Sequence, residues 1–144
     1  MVCHNKLLHL KGANIVPNLH IDSAELEDEI SGVQAMVGEN IYIRFNKNHP
    51  KIRKRFTVSH ELGHASLGHT AGCQLSGDLE SKSLSEIEAN KFAAELLMPL
   101  SMLKEAVKKN RTISSLAFAF WVSKEAMIWR IKETSLYMQL TSWE

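Results

Sequence analysis

The feature that most constrains this chain is the segment His60-Glu61-Leu62-Gly63-His64, which has the pattern HExxH. If the segment is helical, positions i and i+4 lie about 40° apart around the helix axis, so His60 and His64 project from one face. Two imidazoles on one face can supply two ligands of a tetrahedral zinc site. Glu61 would then be close enough to take a proton from a metal-bound water without binding the metal, and such a water needs a base because zinc lowers its pKa only to about 7.

The residues that flank the motif predict a helix of about four turns. Pro50 is typical of a helix start, and Gly68 is typical of a helix end. Apolar side chains between them are available for core contacts, namely Phe56, Leu62, Ala65 and Leu67. The sequence therefore predicts that the two histidines lie on a helix that packs against a core.

Composition is ordinary for a globular protein. The chain has 144 residues, of which 44% are hydrophobic and 23% charged, and its formal net charge is +1. Such a balance gives no reason to expect a nucleic-acid or membrane partner. Cys3 and Cys73 lie far apart and outside any CxxC pattern, and residues 1–10 contain no secretory apolar region. We therefore expect a cytoplasmic protein in a reducing compartment.

The chain before the motif predicts a short antiparallel sheet. Residues 12–21 are typical of a short strand and a turn, and residues 33–37 and 41–45 of two strands joined by a tight turn at Gly38. Ile41, Ile43 and Phe45 alternate with Tyr42 and Arg44, which is the period of a half-buried strand. A strand just before a zinc helix can pair with an extended substrate, or can simply cover the helix.

His69 is the first candidate for a third ligand, and it lies in a loop (residues 68–83) rich in small and polar residues. The metzincin pattern needs Gly and His where this chain has Leu67 and Thr70, so that class is disfavoured. We keep His69 only as a candidate residue of the active site.

A second helix offers a carboxylate ligand instead. Ser83 and Ser85 each begin an S-x-x-E capping box, with Glu86 and Glu88 respectively, and the helix should end before Pro99. A carboxylate from this helix would complete a His₂Glu zinc set and leave one position open for water.

Periodicity does not decide between Glu86 and Glu88. On a helical projection Glu86 points nearer to Phe92 and Ala93, whereas Glu88 shares a face with Phe92. Either glutamate can also be the capping carboxylate.

Two segments together resemble a known family. HELGH at residues 60–64, followed by EANKFAAELLMP from Glu88 to Pro99, is similar to the ImmA/IrrE family of zinc metallopeptidases, and so is Arg55-Phe56-Thr57. The resemblance runs from about residue 41 to residue 127. It implies a compact gluzincin-like core.

The resemblance also implies roles for particular residues. It assigns zinc to His60, His64 and Glu88, and the role of general base to Glu61. The Glu-Ala-Asn segment of the family motif is our reason for choosing Glu88 over Glu86.

The resemblance implies a partner as well. Members of the family are often encoded beside phage-type repressors and act by cleaving them, so we expect a protein substrate that carries a helix-turn-helix. The alternative is a non-catalytic regulator that keeps the zinc fold and binds its partner or DNA. The presence of Glu61 favours the enzyme. The group that would steady the oxyanion stays open among Tyr42, His49, His69 and Tyr137.

The C-terminal segment predicts a helix-turn-helix-like unit. Three helices are expected, at residues 100–109, 113–120 and 124–133, with Thr112 and Ser123 as N-caps of the last two. Trp121 occupies the turn where Gly is usual, and the last helix is unusually apolar for a DNA reader. We therefore expect a packing or substrate-docking element, without direct DNA binding.

These observations predict an α+β fold in which a short antiparallel sheet packs on the HExxH helix. They divide the chain into a metallopeptidase core (1–110) and a C-terminal helical segment (111–144) packed on it. The sequence gives no prediction of oligomeric state.

Overall fold

The computed structural model describes residues 18–69, 74–75, 84–110 and 112–141. Within these ranges the strands are β1 (Leu19–Ala24), β2 (Gly32–Val37), β3 (Asn40–Asn46) and β4 (Gln74–Leu75). The helices are α1 (Lys51–Ser66), α2 (Leu84–Leu97), α3 (Leu100–Lys109), α4 (Ile113–Phe120) and α5 (Lys124–Glu133), followed by a 3₁₀ helix (Leu136–Gln139). The predicted α+β class, with a helical C-terminal part, is confirmed.

The sheet has the strand order β1-β3-β2-β4. β2 and β3 form the predicted antiparallel pair, and Gly38 adopts a φ of 60° in the turn between them. β1 pairs with β3 in parallel, so the sheet is mixed rather than wholly antiparallel as expected. This pairing requires the chain to pass from β1 to β2 while leaving room for β3 between them. The fully buried amide of Asn46 holds that connection, because its nitrogen contacts three carbonyl oxygens at 3.0–3.2 Å, those of Leu26, Glu27 and Ile30.

Helix α1 packs on this sheet as predicted. It begins directly after Pro50, and the chain leaves it through Gly68, whose φ of +75° suits glycine. Ile41 and Ile43 of β3 form an apolar cluster with Leu62 of α1, and Leu19, Ala65, Phe92 and Leu96 pack around them. The sheet thus covers one face of the helix that carries the HExxH motif.

The two helices after Asn110 begin as the sequence predicts. The side chain of Thr112 accepts a hydrogen bond from the backbone N–H of Ser115, and that of Ser123 accepts one from the backbone N–H of Ala126. Trp121, in the turn between them, adopts a left-handed conformation with φ 54° and ψ 52°. A non-glycine residue in this conformation costs free energy, so the turn must be held by its surroundings.

A second and larger apolar cluster lies among the helices. Its buried members are Ala94, Leu97, Met98, Leu103, Val107, Ile113, Leu116, Ala117, Phe120, Val122, Met127, Ile131 and Leu136. The members lie on both sides of residue 110. The division into a core and a C-terminal segment at that residue stays a prediction.

Several sequence predictions lie outside the described residues. They concern the strand before Asn18, the two cysteines, most of the loop after Gly68 and the capping role of Ser83. In the described ranges, no helix combines the length and the apolar character that a membrane span requires.

Candidate metal centre

Three metal-ligating side chains converge where α1 meets α2. The Nε2 atoms of His60 and His64 lie 3.0 Å apart. The carboxylate of Glu86 contacts both rings, with Oε2 3.2 Å from Nε2 of His60 and Oε1 3.0 Å from Nε2 of His64. Both histidines are buried, and 27% of the Glu86 side chain is exposed. The three residues therefore form a group in which one ion can contact every member.

Gly63 explains how a residue of α2 comes so close to the histidines. A Cβ atom at Gly63 would lie 3.1 Å from the Cα and the carbonyl oxygen of Ala89 and 3.1 Å from Cβ of Phe92. The absence of a side chain at position 63 lets the two helices approach closely. Glu86 precedes Ala89 by three residues, so it lies on the same face of α2 and points toward the motif.

The carboxylate that contacts both histidines is therefore that of Glu86, and not that of Glu88, which the sequence analysis chose. Glu86 shares its helix face with the buried residues Ala89 and Ala93, which lie three and seven positions further on. Glu88 is two positions from Glu86 and projects in a different direction. Its side chain is 59% exposed, and its Oε2 lies 3.1 Å from Nε2 of His69.

The protons on His60 can be assigned from its neighbours. Nδ1 of His60 lies 2.9 Å from Oδ1 of Asn90, and an amide oxygen accepts hydrogen bonds and cannot donate one. Nδ1–H of His60 is therefore the donor, and in the neutral ring Nε2 carries a lone pair. That lone pair faces the carboxylate of Glu86, which also presents lone pairs, and Nε2 of His64, which presents one when His64 carries its proton on Nδ1.

Lone pairs that converge in this way repel one another unless a cation lies between them. Ligands at about 2.0–2.1 Å from a tetrahedral zinc ion are about 3.3 Å from one another. The separations of 3.0–3.2 Å in this group are close to that value. The donor set of two imidazole nitrogens and one carboxylate thus fits a zinc ion in both chemistry and spacing.

The pKa of His64 also favours metal binding by this residue. Burial lowers the pKa of His64 below its ordinary value, and the nearby His60 ring lowers it further. The carboxylate of Glu86 acts in the opposite direction but does not reverse the shift. His64 is therefore held in the neutral form, which is the form that binds a metal.

Glu61 lies beside this group and is almost fully buried, with 2% of its surface exposed. β2 begins against it, because a Cβ atom at Gly32 would be 3.5 Å from Cγ of Glu61 and 2.5 Å from Cγ2 of Thr57. Position 32 therefore requires glycine if the sheet is to reach the helix. The close approach encloses Glu61 between α1 and β2.

Three of the other sequence candidates lie elsewhere. Tyr42 alternates with Ile41 and Ile43, so it faces away from α1, and its ring stacks on His20 at a centroid distance of 4.7 Å. His49 contacts the carbonyl oxygen of Asp28 through Nε2 at 2.9 Å. Tyr137 is 47% exposed on the 3₁₀ helix. Among the described contacts, none brings these side chains to the histidine pair.

Of the four residues considered for the oxyanion, His69 is the one that the described contacts bring to the group. Its Nδ1 lies 3.2 Å from Nδ1 of His64, on the opposite side of the ring from Glu86. Sequence reasoning quoted Asn90 and Gly63 as motif residues without giving them a role, and it did not consider Gly32. The spacing from Glu86 to Asn90 is i, i+4, so a search for an acceptor on the same helix face as a carboxylate ligand would have found Asn90.

The fold and the site together define a class of protein in which the two histidines of an HExxH helix meet a carboxylate from a following helix. The chain belongs to the family Peptidase_M78, the IrrE N-terminal-like domain, whose profile matches residues 20–132. It is also similar to uncharacterized immunity region protein 2 of Bacillus phage phi105, with 33% identity over 102 residues. These residues make up 69% of this chain and 65% of the relative. The recognised resemblance to the ImmA/IrrE family is therefore confirmed.

Proposed function

We propose that the chain is a zinc-dependent endopeptidase of narrow specificity. The observation that carries the proposal is the convergence of His60, His64 and Glu86 through atoms 3.0–3.2 Å apart, with the buried Glu61 beside them. In this proposal the first three residues hold the zinc ion and Glu61 is the general base. Membership of a peptidase family supports peptide-bond hydrolysis over other reactions that a zinc site can perform.

The residues of the chain divide the reaction between them. When bound, zinc supplies a Lewis acid that polarises a peptide carbonyl and lowers the pKa of a water molecule. A carboxylate oxygen of Glu61 accepts a proton from the attacking water and then delivers it to the nitrogen of the departing amine. The contact of β2 with Glu61 and the burial of this side chain limit its motion, which in this proposal keeps the carboxylate in place for the two proton transfers.

The substrate we propose is a transcriptional repressor that carries a helix-turn-helix. The phage relative takes its name from an immunity region, which supports a role in regulation rather than in general protein degradation. A cytoplasmic peptidase that acts on folded partners must be selective. Cleavage of one dedicated repressor at one or a few sites would relieve repression without damage to other proteins.

The test is incubation of the purified zinc-loaded protein with the repressor encoded next to its gene, followed by mass spectrometry of the products. We expect one or a few defined fragments. Glu61→Gln keeps the shape of the side chain but removes the base, so cleavage should slow by about 10²–10⁴-fold while zinc content stays unchanged.

A different result would favour the alternative function. If wild type and Glu61→Gln form equally stable complexes with the repressor and neither cuts it, the protein is a non-catalytic regulator that binds its partner. A shift of promoter DNA by the protein alone at physiological salt would point instead to α4 and α5 as DNA readers. Zinc content measured in the same samples shows whether an inactive preparation has simply lost its metal.

A further inference from the structure

His69 lies directly behind the proposed metal ligand His64. Its backbone N–H donates to the carbonyl oxygen of His64 at 2.9 Å, and Gly68 makes this return possible through its left-handed conformation. The two rings meet edge to face, with their centroids 5.4 Å apart and an interplanar angle of 66°. The end of α1 thus places a second imidazole on the side of His64 that faces away from Glu86.

The contacts of His69 define a chain of three side chains. Nδ1 of His69 lies 3.2 Å from Nδ1 of His64, and Nε2 of His69 lies 3.1 Å from Oε2 of Glu88. Only 17% of the His69 side chain is exposed, whereas Glu88 is more than half exposed. This series of contacts therefore runs from solvent, through the mostly buried imidazole of His69, to the buried ring of His64.

The position of each proton in this chain follows from its two ends. A neutral His64 that offers the Nε2 lone pair to a metal carries its proton on Nδ1. Nδ1 of His69 must then be the acceptor, so a neutral His69 carries its own proton on Nε2. That N–H donates to Glu88, which as a carboxylate can only accept. Every hydrogen bond among these three side chains is satisfied when Nε2 of His64 is free to bind a metal.

We propose that His69 and Glu88 are positioning residues that fix the tautomer and the ring orientation of His64, so that its Nε2 lone pair points at the metal position. The proposal rests on the metal centre of the proposed function. It gives the two ligand histidines different supports, because His60 is held by the neutral amide of Asn90 and His64 by a chain that ends in a carboxylate. Partners of this kind orient ligand histidines and raise their basicity, and their loss typically weakens metal binding about 10–100-fold.

The test is a double-mutant cycle that reads zinc affinity. Zinc dissociation constants are measured by chelator competition for the full chain and for Glu88→Gln, His69→Asn and the double variant. The side-chain oxygen of Asn can still accept from Nδ1 of His64, but Asn does not reach Glu88. Glu105→Gln is the matched control, because it removes one exposed carboxylate whose partner, Lys108, lies on the surface of α3.

We expect Glu88→Gln to raise the zinc dissociation constant about 10-fold in the wild-type background and less than about 2-fold in His69→Asn. Glu105→Gln should leave it unchanged. The visible absorption of the cobalt-substituted protein should change with Glu88→Gln and stay the same with Glu105→Gln, because only the first alters the ligand field at His64. If the contact between His69 and Glu88 were merely structural, Glu88→Gln would change neither the zinc affinity nor the spectrum.

Other outcomes would overturn the proposal. An equal loss of affinity in both backgrounds would mean that Glu88 acts by its charge and not through His69. Tight zinc binding that does not respond to Glu88→Gln would remove the positioning role while leaving the metal centre intact. Failure of the wild-type protein to bind zinc would overturn both proposals. If His69→Asn does not fold, the comparison of Glu88→Gln with Glu105→Gln decides the question.

Discussion

At the scale of single residues, the orientation of the histidines matters as much as their identity. An imidazole binds a metal through one nitrogen only, so the other nitrogen must hold the proton and find an acceptor. Asn90 provides that acceptor for His60 at 2.9 Å. The amide also lies on α2, the helix that contributes Glu86. Its contact with His60 therefore helps to fix the position of that ring relative to the carboxylate of Glu86.

We expect Asn90→Ala to weaken zinc binding by about 10–100-fold, because His60 loses the acceptor that fixes its ring. Asn90→Asp keeps an acceptor in the same place and should retain most of the affinity. Chelator competition measures both, with Lys91→Ala as the control on the next, exposed position of α2. Equal affinities for Asn90→Ala and Lys91→Ala would show that His60 needs no support from the amide.

The HExxH spacing was enough to predict that His60 and His64 share a face, because an i, i+4 relation is a local property of a helix. The choice between Glu86 and Glu88 is not local. It depends on which face of α2 meets α1, and that face is set by the close contact between Gly63 and Ala89. The buried positions 89 and 93 are in phase with Glu86, but the choice of Glu88 followed the Glu-Ala-Asn segment of the family resemblance instead of this phase.

At the scale of helices and strands, the formation of the proposed metal centre depends on the contact between α1 and α2. Gly63 leaves no space for a side chain, since an added Cβ would meet three atoms of α2 at 3.1 Å. Two of these atoms are in the backbone of Ala89 and cannot move aside independently. The distance between α1 and α2 at this point can therefore vary only a little.

We expect Gly63→Ala to lower the free energy of unfolding of the metal-free protein by about 1–3 kcal/mol, because overpacking forces the helices apart. It should also weaken zinc binding by moving Glu86 away from the histidines. Denaturant unfolding and chelator competition measure the two effects. Gly38→Asn is the control, because that position has open space around it and Asn tolerates a left-handed backbone. A Gly63→Ala variant as stable as this control would show that the contact between the helices is loose.

Local signals predicted most of the element boundaries. The N-caps Thr112 and Ser123 and the breaks at Pro50 and Pro99 are each decided within a few residues, and the structure has helices at these places. The parallel pairing of β1 with β3 was not predictable in the same way. It joins residues about twenty positions apart and depends on the buried amide of Asn46. No short sequence pattern predicts this role of the amide.

At the scale of the whole molecule, polar contacts join the C-terminal helices to the two helices of the proposed metal centre. Nη1 of Arg55, on α1, donates to the carbonyl oxygens of Phe120 and Trp121 at 2.9 and 2.8 Å. The buried Arg130, on α5, donates to the carbonyl oxygen of Met98 at 3.2 Å and pairs with Glu95 of α2. The Arg55 bonds also hold the left-handed turn at Trp121. A change in the packing of the proposed metal centre should therefore change the free energy of unfolding of the whole fold.

The stability of the metal-free protein should consequently depend on the protonation of His64. Its pKa in the folded state lies below the ordinary value of 6.5, so the unfolded chain takes up the proton first as pH falls. The contribution of His64 to stability is thus fully present above about pH 6.5 and is lost as pH falls through the folded-state pKa. Denaturant midpoints of chelator-treated protein between about pH 8 and about pH 5 measure this loss. We expect a smaller loss for His64→Gln, and an identical pH dependence would contradict the assignment.

The most direct measurement of the central claim is the zinc content of purified protein when Glu86 and Glu88 are changed one at a time. We expect wild type to hold one zinc per chain and Glu86→Ala to lose it, because two imidazoles alone bind zinc weakly. Glu88→Ala should still bind one zinc per chain when zinc is in excess, since Glu88 does not contact the metal position. Stoichiometric zinc in Glu86→Ala, together with its loss in Glu88→Ala, would contradict the metal centre that we propose at the junction of α1 and α2.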